Sequence, residues 1–135
     1  MMTPTLQQHI ESVLGGNVAS STTARGGFSP ATRERIVLTD GRRAFVKAGT
    51  DADTTQWLRD EWRVYGALAA PVLPEVLHWS SAAAVLVLED LGDCERAPPW
   101  TDHAVAAVLK TLAEVSATVC PDDIPPVDPT PFSGW

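Results

Sequence analysis

Three segments of the chain repeat their apolar residues at intervals of three and four positions, which is the spacing of an amphipathic helix. The first predicted helix lies within residues 3–16, where two glycines end it, and the third lies within residues 101–119. Each has one apolar face for packing. The apolar positions are Leu6, Ile10, Val13 and Leu14 in the first helix, and Val105, Val108, Leu109, Leu112, Val115 and Val119 in the third.

The second helix is predicted within residues 49–71. Asp53 and Gln56 have the spacing of a capping box at its start, and Pro71 ends it. These limits predict a helix of about four turns.

One charged residue of this second helix lies on its apolar side. At about 100° per residue, Glu61 falls inside the arc of apolar positions. A carboxylate directed toward a core costs several kcal/mol unless it is paired, which predicts a cationic partner for Glu61. The alternative is a glutamate at the margin of the arc whose head reaches solvent. The apolar members of the arc are Trp57, Leu58, Trp62, Tyr65, Leu68 and Ala69.

Between the first two helices, residues 17–48 have the composition of two or three antiparallel strands, with an Asp-Gly hairpin signal at residues 40–41. A two-residue turn there would pair Ile36 with Phe45 and place Glu34 opposite Lys47. One face of the sheet would then carry Ile36, Leu38, Phe45 and Lys47.

Lys47 therefore ends an otherwise apolar face. Alternative positions for its ammonium are solvent at the strand end and a cross-strand contact with Glu34.

Two further strands are predicted at residues 75–80 and 83–90, and the proline-rich segment after Val119 predicts no regular structure.

Charge and length narrow the class of protein. The 135 residues contain ten Lys and Arg against 17 Asp and Glu, which gives a formal charge of −7. Nucleic-acid binding depends on clustered basic side chains that neutralise phosphates, and the basic residues here are scattered. We expect one compact unit that does not bind nucleic acid.

The cysteines and histidines indicate neither a zinc site nor a disulfide framework. Cys94 and Cys120 form no C-x-x-C motif, and the sequence favours a reducing cytoplasm. There is no export-signal pattern and no apolar run of membrane-spanning length, so we expect neither export nor membrane association. His78 is interpreted as a structural residue, and His9 and His103 as solvated helix residues.

Five consecutive blocks of the sequence resemble the aminoglycoside phosphotransferase family of kinase-like small-molecule phosphotransferases. The blocks are "GGFSPATRERIVL", "FVKA", "LRDEWRVYGAL", "PVLPEVLHW" and "VLVLEDLGD", within roughly residues 15–95. The later segment "PPWTDHAVAAVLKTLAEVSA" is similar to that family's passage from hinge to C-terminal lobe. The resemblance implies an α+β fold, a protein-kinase-like N-terminal lobe whose antiparallel sheet of about five strands packs with an αC-type helix.

The same resemblance implies roles for the two misplaced charges. Lys47 would reach the α- and β-phosphates of a nucleotide, and Glu61 would hold its ammonium in place. Phe45 and Ile36, on the face predicted for Lys47, would cover the base.

A glycine-containing loop would cover the phosphates. Gly26 and Gly27 would permit close backbone approach, and Ser29 with neighbouring amides would donate hydrogen bonds to phosphate oxygens. The alternative is an ordinary Gly-Gly turn.

The last strand would lead into the hinge. Backbone groups around Glu89 and Leu91 would bind the adenine edge, with Leu88 or Asp90 in their place if the register is shifted by one. The alternative is a core strand that ends in an acidic turn.

The resemblance assigns residues 1–95 to a nucleotide-binding lobe and residues 96–135 to a linker helix and proline-rich segment that lead to an absent C-terminal lobe. The family's catalytic Asp and magnesium ligands come from that lobe, and no His-x-Asp followed by Asn occurs here. We expect the ATP- or GTP-binding part of a phosphotransferase that uses Mg²⁺ and transfers the γ-phosphoryl group to a small-molecule hydroxyl. Alone it is expected to be inactive.

Two alternatives remain open at this stage. One is a non-catalytic kinase-like binding or interaction module, and the other is an unrelated α+β domain in which the Lys and Glu are coincidental. A lobe without its partner would expose apolar surface, which predicts a dimer or a second polypeptide that covers it. The sequence does not indicate the acceptor substrate, because the C-terminal lobe supplies most of that pocket in the family.

Overall fold

The computed structural model describes residues 2–24, 30–68, 72–94, 98–122 and 124. The described parts contain three helices and five strands, and all three helices lie close to their predicted positions. The elements in chain order are α1 (Pro4–Leu14), β1 (Val18–Thr23), β2 (Thr32–Leu38), β3 (Arg43–Ala48), α2 (Ala52–Ala67), β4 (Val76–Ser80), β5 (Val85–Glu89) and α3 (Asp102–Ala117).

The five strands form one sheet in the order β1-β2-β3-β5-β4, and every neighbouring pair is antiparallel. The sheet departs from sequence order at one place, where β5 lies between β3 and β4. Helix α2 connects β3 to the β4–β5 pair. The predicted α+β class and the predicted antiparallel sheet of about five strands are confirmed.

Each side of the sheet has its own helix and its own core. On the α1 face, Ile10 of α1 packs against a cluster of strand residues, and on the α2 face Leu58 of α2 packs against β5. β5 contributes to both cores and is buried on both sides, which explains its unbroken apolar run. The α1 face comprises Ile36, Leu38, Ala44, Val46, Ala48, Val85 and Val87; the α2 face comprises Leu86 and Leu88 with the partly buried Phe45, Val76 and Trp79.

The β2–β3 hairpin has a register one residue away from the predicted one. Its loop contains three residues, 39–41, because the Leu38 N–H donates to the Arg42 carbonyl at 2.8 Å. Gly41 adopts φ +87°, the left-handed conformation that closes a three-residue hairpin loop. Ile36 consequently pairs with Ala44 rather than with Phe45.

This shift corrects one predicted face. A slip of one residue moves a whole strand's side chains to the other side of a sheet. Ile36 and Leu38 lie in the α1-face core, whereas Phe45 and Lys47 lie on the α2 face. The prediction that Ile36 shares the face of Lys47 is wrong, and so is the pairing of Glu34 with Lys47, since Glu34 pairs with Val46.

Side-chain caps fix the helix starts. Thr3 accepts a hydrogen bond from the Leu6 N–H at 3.2 Å at the start of α1. A capping box begins α2, but it is formed by Asp51 and Thr54 and not by the predicted Asp53 and Gln56. The predicted box starts two residues too late.

The apolar arc of α2 is only partly buried. Leu58 is enclosed, whereas Trp57 is 55% exposed and Trp62 is 40% exposed. The Trp62 ring stacks on that of Trp79, with ring centroids 5.5 Å apart and planes 14° apart. Ala69, the last predicted member of the arc, lies outside the described residues.

Two histidines meet on the α1 face. The rings of His9 and His78 have centroids 5.7 Å apart, and the Nε2 atom of each is buried without a hydrogen-bond partner among the described residues. The prediction of a solvated His9 is wrong for its Nε2 atom, and the structural role of His78 stays a prediction. Burial, followed by the nearby His9, lowers the pKa of His78 below its usual value.

The apolar face predicted for α3 is present and mostly uncovered by the described residues. Ala104 alone of this helix is buried. No helix in the described ranges is long and apolar enough to cross a membrane. The exposed large apolar side chains of this region are Val105, Val108, Leu109, Leu112, Val115 and Val119.

Candidate functional site

A cleft of about 370 Å³ opens on the α2 face, beside the point where the chain leaves β5. One wall is apolar, because Phe45 of β3 and Leu88 of β5 are cross-strand partners on this face. The cleft has Lys47 as a cationic lining residue and a run of backbone from β5 onward. Its lining residues are Ala24, Arg35, Phe45, Lys47, Tyr65, Pro74, Leu88, Glu89, Asp90, Leu91 and Gly92.

Lys47 and Glu61 form an ion pair at this cleft. The Lys47 Nζ atom donates to Glu61 Oε1 at 2.5 Å, so the predicted cationic partner of Glu61 is confirmed. The two side chains remain 24% and 29% exposed, so the pair is not sealed into the core. Partly exposed ion pairs stabilise a fold by about 1 kcal/mol or less. The pair is therefore better placed to orient an ammonium than to hold the fold together.

Tyr65 supports the glutamate from one turn further along α2. Its hydroxyl donates to Glu61 Oε1 at 3.1 Å. Burial, followed by the negative charge of Glu61, raises the pKa of Tyr65 to about 12. The phenol stays protonated and keeps donating to Glu61, which fixes the carboxylate against Lys47.

The end of β5 and the segment that follows it line the cleft. The Glu89 N–H is already used, since it donates to the Glu75 carbonyl at 2.9 Å. The Leu91 carbonyl accepts from the Cys94 N–H at 3.0 Å, whereas the Leu91 N–H donates to none of the described residues. A backbone donor at Leu91 is thus available beside the apolar wall of Phe45 and Leu88.

Two arginines hold the intervening Asp90. Its side chain is 5% exposed and accepts from Arg35 Nε at 3.0 Å and Arg35 Nη2 at 3.1 Å. Arg43 donates to it through Nε at 2.9 Å and Nη2 at 2.6 Å, and also contacts Asp93. Burial pushes the pKa of Asp90 upward, but the hydrogen bonds from Arg35, Arg43 and the Gly92 N–H outweigh it and leave that pKa lowered. We call these three side chains the Arg-Asp-Arg clasp.

Gly92 is required by the position of Arg35. A β-carbon at Gly92 would lie 1.1 Å from Arg35 Nη2 and 2.2 Å from Arg35 Cζ. The Gly92 N–H also donates to Asp90 Oδ1 at 3.0 Å. Any side chain at this position would have to displace the guanidinium that pairs with Asp90.

The structure brings most of the described candidate residues together. Phe45, Lys47, Glu89 and Leu91 line the cleft, and Glu61 contacts Lys47. Ile36 lies on the opposite face, as shown above. The predicted phosphate loop, Gly26, Gly27 and Ser29, lies outside the described residues.

Sequence reasoning missed the clasp. The predicted hairpin register placed Arg35 and Arg43 on opposite faces of the sheet, and Asp90 was considered only for its backbone. Arg35 and Asp90 are 55 positions apart, so no local spacing indicates their contact. One signal could have indicated the clasp. With a three-residue loop, Arg35 and Arg43 both lie on the same face of the sheet as Phe45.

Among the described residues, no group of three or more His, Cys, Asp or Glu side chains is placed to hold a metal ion.

A second, apolar cavity of about 230 Å³ lies between α2 and α3 and has no charged lining residue. Its polar lining side chains are those of Thr118 and Cys120. Its lining residues are Val64, Leu68, Val72, Leu73, Val115, Thr118, Cys120 and Ile124.

No protein-family model matches the sequence of this chain, and no curated protein matches it either. Among solved structures, the chain is similar to the crystal structure of a "putative fructosamine-3-kinase" from Thermobifida fusca YX-ER1. The two share 23% identity with a TM-score of 0.48, over 72% of this chain and 34% of that one. The matched part of this chain thus corresponds to about a third of the length of that protein.

Proposed function

We propose that this chain is the nucleotide-binding part of a kinase-like phosphotransferase that moves the γ-phosphoryl group of ATP or GTP to a small-molecule hydroxyl. The observation that carries the proposal is the Lys47–Glu61 ion pair at a cleft with an apolar wall. Phosphoryl transfer depends mainly on positioning and on charge stabilisation around the phosphates. A lysine that is oriented by a carboxylate can position the phosphates, and the apolar wall beside it can position a flat base.

The parts of the cleft match the parts of a nucleotide. Phe45 and Leu88 form an apolar wall against which a purine can pack, and the Leu91 N–H can donate to its edge. Lys47 lies two positions beyond Phe45 on the same face, at the distance along a strand where phosphates would follow the base. Gly26, Gly27 and Ser29 would cover those phosphates.

The described residues supply neither a group of ligands for magnesium nor an identified binding site for the acceptor substrate. The cleft contains Glu89 and Asp90, but Asp90 is engaged by two arginines and Glu89 Oε1 accepts from the Glu75 N–H at 2.9 Å. No step is therefore assigned to Mg²⁺ here. In the proposal, the catalytic Asp and the metal ligands belong to a C-terminal lobe beyond the linker of residues 96–135.

The test uses the two lysines of the chain, Lys47 and Lys110. Lys110 is 79% exposed on α3 and contacts Glu114, which makes Lys110→Met a matched control for Lys47→Met. Titration of Mg-ATP by calorimetry should show about tenfold weaker binding for Lys47→Met, because an oriented charge is lost. Lys110→Met should bind as the wild-type chain does.

Equal Mg-ATP affinity in the wild-type chain and Lys47→Met would contradict the proposal, as would the absence of binding by a folded wild-type chain. Thermal unfolding of each variant separates lost affinity from lost folding. Because the Lys47–Glu61 pair is partly exposed, its removal should leave the melting temperature nearly unchanged.

A second function is favoured by the exposed face of α3. Leu109 is 61% exposed and Leu112 is 56% exposed, on the same helix that contributes Val115 to the apolar cavity. Exposed apolar surface of this kind is typical of an interaction site, as in a non-catalytic kinase-like module. Light scattering of the wild-type chain and a Leu109→Lys variant tests it: a dimer that dissociates in the variant would favour this function.

A further inference from the structure

The cleft of the proposed nucleotide site is bordered by the Arg-Asp-Arg clasp, whose role the Lys47–Glu61 ion pair does not explain. Asp90 lies between Glu89 and Leu91 in the run of residues that lines the cleft, and its carboxylate is bound by two arginines of the sheet. Both carboxylate oxygens are occupied: Oδ1 accepts from Arg35 and the Gly92 N–H, and Oδ2 accepts from Arg35 and Arg43. Asp90 therefore has little capacity left to bind a ligand itself.

The clasp joins the chain after β5 to two strands at once. Arg35 belongs to β2 and Arg43 to β3, which are neighbours in the sheet, and both reach the same carboxylate. Bidentate contacts between arginine and carboxylate fix geometry as well as contribute energy. With Asp90 held by its side chain and Gly92 held by its N–H, the peptide of Leu91 between them has little freedom.

We infer that Arg35 and Arg43 are positioning residues for base recognition: through Asp90 they fix the backbone of residues 89–92 so that the Leu91 N–H faces the cleft. The inference rests on the proposed function. A donor that is fixed before binding loses little conformational entropy when a base arrives, which raises affinity without adding a contact. Arg35 has a second part in this, because its side chain also lines the cleft and lies against Gly92.

The clasp and the ion pair should therefore affect different halves of a nucleotide. Loss of the clasp should weaken binding of the base, and loss of Lys47 should weaken binding of the phosphates. Adenosine and inorganic tripolyphosphate each represent one half, and ATP represents both.

The experiment measures binding of these three ligands to the 135-residue chain and to Arg35→Met, which keeps an unbranched stem and removes the charged guanidinium. Arg35→Met should lower affinity for ATP and adenosine by about tenfold and leave tripolyphosphate within about twofold of wild type. Lys47→Met should show the reverse order. Arg59→Met, on the exposed surface of α2, is the matched arginine control and should change none of the three.

A second variant covers the case in which Arg35→Met fails to fold. Gly92→Ala displaces the Arg35 guanidinium from outside the clasp and should reproduce the loss of adenosine binding. Gly66→Ala is its control, since a β-carbon at Gly66 meets nothing within 4 Å.

Three results would overturn the inference. Unchanged adenosine and ATP affinity in folded Arg35→Met or Gly92→Ala overturns it and leaves the proposed function intact. Equal losses for adenosine and tripolyphosphate overturn it as well, because they indicate a general disturbance of the cleft. A folded wild-type chain that binds neither ATP nor adenosine overturns the proposed function, and the inference with it.

Discussion

The two faces of the sheet differ in how deeply they bury their charged side chains. On the α1 face, Glu34 is 1% exposed, and the hydroxyls of Ser21 and Thr23 donate to its two carboxylate oxygens at 2.8 and 2.9 Å. On the α2 face, Lys47 and Glu61 pair while keeping about a quarter of their surface in solvent. A carboxylate that is 1% exposed is part of the core, whereas a partly solvated ion pair beside a cleft can contact a ligand. The comparison predicts stability effects on the first face and ligand effects on the second.

The largest expected effect is on the α1 face. Ile36→Ala removes a fully buried side chain from the core formed with Ile10 and Val46. Substitutions of this kind lower the free energy of unfolding by about 2–5 kcal/mol. Urea denaturation should show this loss, and Mg-ATP affinity of the folded fraction should be unchanged. An Ile36→Ala protein as stable as the wild type would contradict the observed register.

Glu34→Gln should have an intermediate effect. The burial of Glu34 raises its pKa, but hydrogen bonds, those from Ser21 and Thr23 among them, together with attraction by a positive charge outweigh burial and leave the pKa lowered, so the side chain is ionised near neutral pH. Replacing the carboxylate by an amide weakens charge-assisted hydrogen bonds, with an expected loss of about 1–3 kcal/mol in chemical denaturation. Ser21→Ala, which removes one donor, should lose less than Glu34→Gln. The reverse order would show that the charge does not matter here.

Stability should also fall as pH decreases through the range of histidine. The pKa of His78 is lowered from its usual 6.5, so just below that pH the unfolded chain binds more protons than the folded one. The contribution of His78 is present above about pH 6.5 and is lost as pH falls through the lowered pKa. Melting temperatures between about pH 7.5 and 5.5 should decrease, and His78→Gln should flatten that decrease. A flat wild-type profile would refute the burial of this ring.

The smallest stability effect is expected for Glu61→Gln on the α2 face. The pair it breaks is partly exposed, so the free energy of unfolding should change by less than about 1 kcal/mol. Mg-ATP affinity should nevertheless fall, because the ammonium of Lys47 loses its orientation. If Glu61→Gln instead destabilises the fold as strongly as Glu34→Gln, the distinction between the two faces is lost.

Much of the fold could be predicted because its signals are local. The periodicity of three helices, the alternating strands and the Asp-Gly turn all depend on residues a few positions apart. The pairing of Lys47 with Glu61, 14 residues apart, was also predictable, because each residue was a charge on an apolar face of its own element.

The errors have physical causes that local patterns do not contain. An Asp-Gly pair closes two- and three-residue hairpin loops alike, and the difference of one residue reversed the face of Ile36. The capping box was shifted because Asp51 and Asp53 are equivalent candidates until the backbone of Asp51 is known to be extended. The clasp forms because β3 and β5 are neighbours in the sheet, and this strand order could not be predicted from local sequence patterns.

Strand β5 is covered from both sides, and this has a consequence for how the molecule opens. Its central amides can reach water only if the α1 face or the α2 face separates from the sheet, so they should be the slowest to exchange hydrogen for deuterium. Residues 90–92 follow directly from that slow-exchanging strand. The cleft is thus anchored to the part of the chain that opens last, and its geometry should persist through local fluctuations that free the rest of the surface.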